Sequence, residues 1–139
     1  MNGLLADVNV QGHLLYLRQL LETLDLWPLL ADENLDLVTF PDLELPPDLD
    51  DRSLWNHCQE HGWVLFTENR NHHDEKSLQA TISDSWEMGK LPVVTLANKG
   101  TFAHEPAYAR RVAKDVAELL FGIAQGEYCD QPRIYVPRL

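Results

Sequence analysis

Five short apolar segments alternate along this chain with stretches of helical period, and that alternation limits the fold more than any other feature. The first runs from Leu4 to Val10, broken by Asp7 and Asn9; the others are LDLVTF (35–40), WVLFT (63–67), LPVVTLA (91–97) and RIYVP (133–137). Apolar runs of this length, bounded by turn residues, read as buried strands. Between them, Leu14, Leu17, Leu21 and Leu24 recur three, four and three residues apart, with Leu15 and Leu20 widening an amphipathic stripe. Residues 25–31 break that helix around Trp27-Pro28, and PDLELPPDLD (41–50), with three prolines and four acids, reads as a loop. Asp50 or Asp51 then stands at the N-cap of a helix carrying Leu54, Trp55 and Cys58, and His61-Gly62 closes it. Residues 77–86 look helical, and Pro106 opens the clearest helix, with Ala109, Val112, Val116, Leu119 and Ile123 on one stripe.

Strands alternating with helices imply parallel βαβ units, hence a three-layer α/β/α sandwich around a mainly parallel sheet of about five strands. Right-handed crossovers would set helices on both faces. A length of 139 residues suits one domain, 1–139. No stretch approaches the roughly 20 apolar residues of a membrane span, and MNGLLADVNVQG lacks the basic flank and apolar core of a signal peptide. A cytoplasmic protein without membrane contact is expected. Cys58 and Cys129 lie far apart in no metal-like spacing, which predicts two buried thiols.

In a parallel sheet of this kind ligands bind beyond the carboxyl ends of the strands. The polar residues there are Asp7 and Asn9 after the first strand, Asp50 and Asp51 at the helix after the second, and Glu68, Asn69 and Asn71 after the third. Asp74 and Glu75 follow. Carboxylates gathered in one crevice repel one another unless a cation neutralises them. Oxygen ligands without paired Cys or His favour Mg²⁺ or Mn²⁺, which bind through a few carboxylates, water and substrate phosphate. A bland reading stands beside this one: Asp50 or Asp51 as a simple cap, Asn69 and Asn71 as turn residues. Asp7 resists it, because an acid inside an apolar strand is expensive to bury unpaired.

The remaining candidates carry less. His57 and His61 are four apart on a helix without the zincin glutamate, and they read as surface or helix-end histidines. The adjacent His72 and His73 read as exposed. Arg110, Arg111 and Lys114 suit a solvated helix face, whereas Arg70 sits among the acids where a phosphate would meet it. No Gly-x-Ser-x-Gly, Walker A or GxGxxG motif occurs, which removes serine hydrolases of that type, P-loop NTPases and standard dinucleotide folds. A net charge of −11 opposes broad nucleic-acid affinity.

With LLADVN, the acid-led DDRSLWNHCQEHG and VLFTENRN in this order, the chain resembles the PIN-like nuclease superfamily, in particular small bacterial proteins related to toxins of toxin–antitoxin systems. The resemblance spans most of the sequence. It implies a parallel α/β/α sandwich whose acidic crevice holds Mg²⁺ or Mn²⁺ and cleaves RNA. Asp7 matches the first acid and Asp51 the acid opening the helix. Past the third strand, Asn69 and Asn71 stand where relatives carry acids; an amide can ligate a metal but brings no charge. Asp74, in preference to Glu68, would supply the missing carboxylate. The resemblance thus implies Asp7, Asp51 and Asp74 as catalytic residues, the same three with Asn69 as metal ligands, and Arg70 and Asn71 at the substrate. An antitoxin-like protein and a second copy of the chain are the partners it would accommodate. The two amides and the acidity also fit a PIN-like module that has lost catalysis and serves binding or regulation. A receiver-like phosphoacceptor ranks last, for want of an acid pair after the first strand.

Overall fold

A computed structural model describes residues 1–68 and 73–138, with the side chains of 73–76 outside the description. Five strands form one all-parallel sheet: β1 (Gly3–Ala6), β2 (Asp36–Val38), β3 (Trp63–Glu68), β4 (Val93–Leu96) and β5 (Arg133–Val136). Their order is β2-β1-β3-β4-β5, so the chain steps one way from β1 to β2 and the other way in every later connection. The crevice that such a reversal opens lies between β1 and β3, beyond their carboxyl ends.

Alternation along each strand divides two apolar cores. Leu4, Ala6, Val64, Phe66, Val94 and Ile134 face one way, and Leu5, Leu65 and Val93 the other. The first face is covered by α1 (Gln11–Thr23), α2 (Trp27–Asp32), α5 (Lys99–His104) and α6 (Pro106–Ala124), and the second by α3 (Asp51–His61) and α4 (His73–Ser85). The sandwich read from the sequence is therefore present, with every strand pair parallel. Leu14, Leu17 and Leu21 of α1 are fully buried, each side chain contributing about 1.5–3 kcal/mol.

Several local expectations change. Leu15 does not widen the buried stripe of α1; it is 60% exposed. Residues around Trp27-Pro28 form the short α2 rather than a plain break, because Pro28 occupies a first-turn position where its missing N–H costs nothing. α4 starts a turn earlier than the period of its apolar residues marks. α5, unread in the sequence, is six residues long; Asn98 caps it by accepting from Thr101 N–H at 2.9 Å.

The handedness also departs from expectation. Three connections step the same way, from β2 to β3, β3 to β4 and β4 to β5, yet α3 and α4 lie on the second face while α6 lies on the first. The β4–β5 crossover thus has the opposite hand to the others, against a right-handed rule that holds for nearly all such units. α5 accounts for the exception. It carries Phe102, fully buried, into the first-face core, so the chain is already on that side when α6 begins. The second face of β5 is left partly open, with Tyr135 46% exposed.

β1 begins at a tight contact. Gly3 has φ +138, and a Cβ there would overlap the backbone carbonyl oxygen of Asp36 in β2. Gly3→Ala is expected to destabilise the fold by more than about 1 kcal/mol, since both the space and the dihedral forbid the methyl; a denaturant midpoint equal to that of the wild type would contradict this.

Candidate functional site

β1 ends at Ala6, and the next residue is where a polar side chain first enters the crevice. Asp7 N–H donates to the Phe66 carbonyl at 2.9 Å, extending the β1–β3 pairing by one rung, and the Asp7 carbonyl accepts from Val10 N–H at 3.0 Å to close a 3₁₀ turn, Val8–Val10. The side chain makes no capping bond to that turn, although the residue occupies its N-cap position. Asp7 is buried, 5% exposed. By strand alternation it points to the second face, as Leu5 does. Its neighbour there is Cys58 of α3, whose thiol is pushed up to about 12, first by burial and then by the Asp7 carboxylate.

The opposite wall comes from the loop after β2. That loop holds its course through local bonds: Asp42 accepts from Thr39 N–H at 2.8 Å, and Gln11 at the start of α1 accepts from Phe40 N–H at 3.1 Å. It ends at Asp50, whose carboxylate accepts from Ser53 N–H at 2.8 Å and lies 3.0 Å from the Ser53 hydroxyl. Asp50 is therefore the cap, and Asp51 is the first residue of α3, half-buried, its carboxylate not needed for capping. An acid in a helix's first turn also interacts favourably with the macrodipole.

These elements enclose a cleft of about 320 Å³ lined by Asp7, Asn9, Asp48, Asp50, Asp51 and Ser77, together with Val8, Pro47 and Leu49. Asp7 and Asp51, separated by 44 positions in sequence, reach one cleft because β1 and α3 meet at the strand ends. Asp48 and Ser77 were not singled out in the sequence. Asp48 carries no signal beyond its place in an acidic loop, and Ser77 reaches the cleft only because α4 packs against α3. Arg52, beside Asp51, joins the two helices through Asp84 at 3.3 Å. Of the other expected site residues, Asn69, Arg70 and Asn71 lie outside the described residues, and Asp74 lies in α4 with its side chain outside the description.

Glu68 takes another direction. One residue after Thr67, it turns to the first face and pairs with Lys99 at 2.6 Å, with its side chain only 12% exposed. Beside this pair stands His13 of α1, held below its ordinary pKa by burial and then by the Lys99 charge. His57 and His61 stack at 4.4 Å toward the far end of α3, roughly nine to fifteen ångströms along the helix from Asp51.

The donor set suits a hard cation only in its sparse mode. Among the described residues no three His, Cys, Asp or Glu side chains converge as a metal cage. Mg²⁺ needs no such cage, since it keeps several waters and binds through one or two carboxylates plus phosphate oxygens. Asp7 and Asp51 are the residues that would hold it. Among the described residues no helix is long and apolar enough to cross a membrane.

The thiols differ from expectation. Cys58 is buried but Cys129 only half so, at a separate recess with Met88 and Gly126. At pH 8 an alkylating reagent is expected to label Cys129 in the native protein and Cys58 only after denaturation, read by peptide mass spectrometry; native labelling of Cys58 would refute its burial. The Asp50 cap has a testable sign as well. Bonds from Ser53 hold its pKa below the usual carboxylate value, so the cap stabilises above about pH 3.9 and the contribution is lost as pH falls through the folded-state value. Asp50→Ala is expected to lower Tm at pH 7, with the gap to wild type closing in acid; a gap constant with pH would count against the cap.

The chain matches no protein-family model, and no curated protein or solved structure matches it.

Proposed function

We infer that this protein is a divalent-metal-dependent ribonuclease of PIN-like type, with its site in the cleft between the end of β1 and the start of α3. The observation that carries this reading is Asp7: a carboxylate 5% exposed at the end of an interior strand, lining the same cleft as Asp51. A buried carboxylate is costly unless its charge is compensated, and a cation shared with Asp51 in the same cleft would contribute to that compensation. A bound Mg²⁺ or Mn²⁺ would neutralise charge on a scissile phosphate and lower the pKa of an attacking water.

The chain's own residues supply position. Asp7 is fixed by the backbone rung to Phe66, and Asp51 by a helix whose start is pinned by Asp50 and Ser53. The Asn9 carboxamide and the Ser77 hydroxyl can each orient water or a phosphate oxygen without adding charge. In this reading Asp74 completes the carboxylates, Asn69 is a neutral ligand, and Arg70 and Asn71 meet the RNA backbone. An antitoxin-like protein would be the natural restraint on such an enzyme.

A second reading, a PIN-like binding or regulatory module without catalysis, draws on the amides Asn69 and Asn71 where the resemblance implies acids, and on the net charge of −11. One substitution separates the two. Asp7→Asn keeps the shape of the side chain and removes its charge. On the nuclease reading, Mn²⁺-dependent cleavage of single-stranded RNA falls by at least a hundredfold while the thermal unfolding curve stays cooperative. On the module reading neither protein cuts RNA, and both hold a protein partner equally.

A further inference from the structure

The same end of the sheet has a second recess, on the other face. It measures about 230 Å³ and is lined by Gly12, His13 and Tyr16 of α1 and Ala103 of α5. Pockets for drug-sized ligands run to about 300–1,000 Å³, so this one suits a single planar ring system. Its aromatic walls are held in place. The buried Phe102 ring lies 5.1 Å from Tyr16 and 6.1 Å from His13, centroid to centroid.

We propose that this recess binds one unstacked base of a single-stranded RNA whose backbone enters the acidic cleft. The proposal rests on the ribonuclease reading above and adds to it the way the substrate is gripped. Four observations converge on it. Tyr16 offers a half-buried aromatic ring, and base–aromatic stacking is the common means of holding single strands. His13, half-buried and with its pKa lowered, presents a neutral imidazole with one donor and one acceptor for a base edge.

Gly12 is the third. It sits in the first turn of α1, where glycine is a poor helix residue, and a Cβ there would meet no protein atom within 4 Å. The space beside it is therefore open to a ligand lying against the helix. The fourth is position. Asn9 lines the acidic cleft and Gly12 the recess, three residues apart where the 3₁₀ turn runs into α1.

Charge points the same way. A chain of net charge −11 gains little from phosphate neutralisation, so affinity for RNA has to come largely from its bases. A duplex, whose bases are stacked and paired, would not enter.

Fluorescence anisotropy in EDTA, which stops cleavage, tests this with a fluorescein-labelled mixed-sequence single strand and the same strand annealed to its complement. The wild type should prefer the single strand. Gly12→Phe, which fills the recess from an open position, and Tyr16→Ala, which removes the stacking ring, should each weaken binding about tenfold or more. Leu29→Ala, at an exposed leucine of α2, should leave it unchanged. Unaltered binding by both recess variants, or equal affinity for the duplex, would overturn the base pocket and leave the nuclease reading standing. A wild type that neither binds nor cuts RNA would overturn both.

Discussion

One backbone hydrogen bond, from Asp7 N–H to the Phe66 carbonyl, sets the geometry on which the candidate site depends. It carries the β1–β3 pairing one residue past the end of β1, so the first polar side chain of the crossover still obeys strand alternation and turns to the second face. One position earlier or later, the carboxylate would point into the core of α1 and α6. The 3₁₀ turn that follows then redirects the chain into α1, and both recesses at the carboxyl end of the sheet are built around that exit.

The two faces of the sheet divide the work. On the second face, α3 and α4 leave a cleft lined by acids from β1, the loop after β2 and the start of α3. On the first, Glu68 is neutralised by Lys99, and aromatic rings from α1 gather against Phe102. Consecutive residues at the end of β3, Thr67 and Glu68, serve opposite faces: the Thr67 hydroxyl meets that of Thr95 at 3.1 Å in the sheet's interior, while the Glu68 carboxylate meets a lysine. This separation keeps the Glu68–Lys99 pair apart from the acidic cleft on the other face. It also explains why Glu68 adds nothing to the acidic cleft despite its place in sequence.

The inverted hand of the β4–β5 crossover has a related effect. By drawing α6 onto the first face, it gives α1 a long apolar partner and fixes the helix that carries Gly12, His13 and Tyr16. The second face of β5 is left to Arg133 and Tyr135. Arg133 donates to Thr95 and to Gln79 of α4 at 2.9 and 3.0 Å, so polar bonds rather than a covering helix hold α4 over that edge.

Much of this was legible in the residues. Apolar runs separated by amphipathic stripes determined the strands, the large helices and the parallel sandwich, because period and burial are local properties of sequence. Asp7 stood out for the same reason, as a charge in a segment that must be buried. Other features had no local signal. Whether Asp50 or Asp51 caps α3 depended on which carboxylate reached Ser53. The fate of Glu68 depended on Lys99, 31 positions away, and the side on which α6 packs depended on where α5 inserts Phe102. Sequence alone determined the five strands, the larger helices and which acids stand at strand ends, but not α2, α5 or the 3₁₀ turn that replaces the second half of the expected first strand, Leu4 to Val10. Only the tertiary structure decided which of those acids share a cleft, because facing direction is set by register and by contacts between residues far apart in the chain.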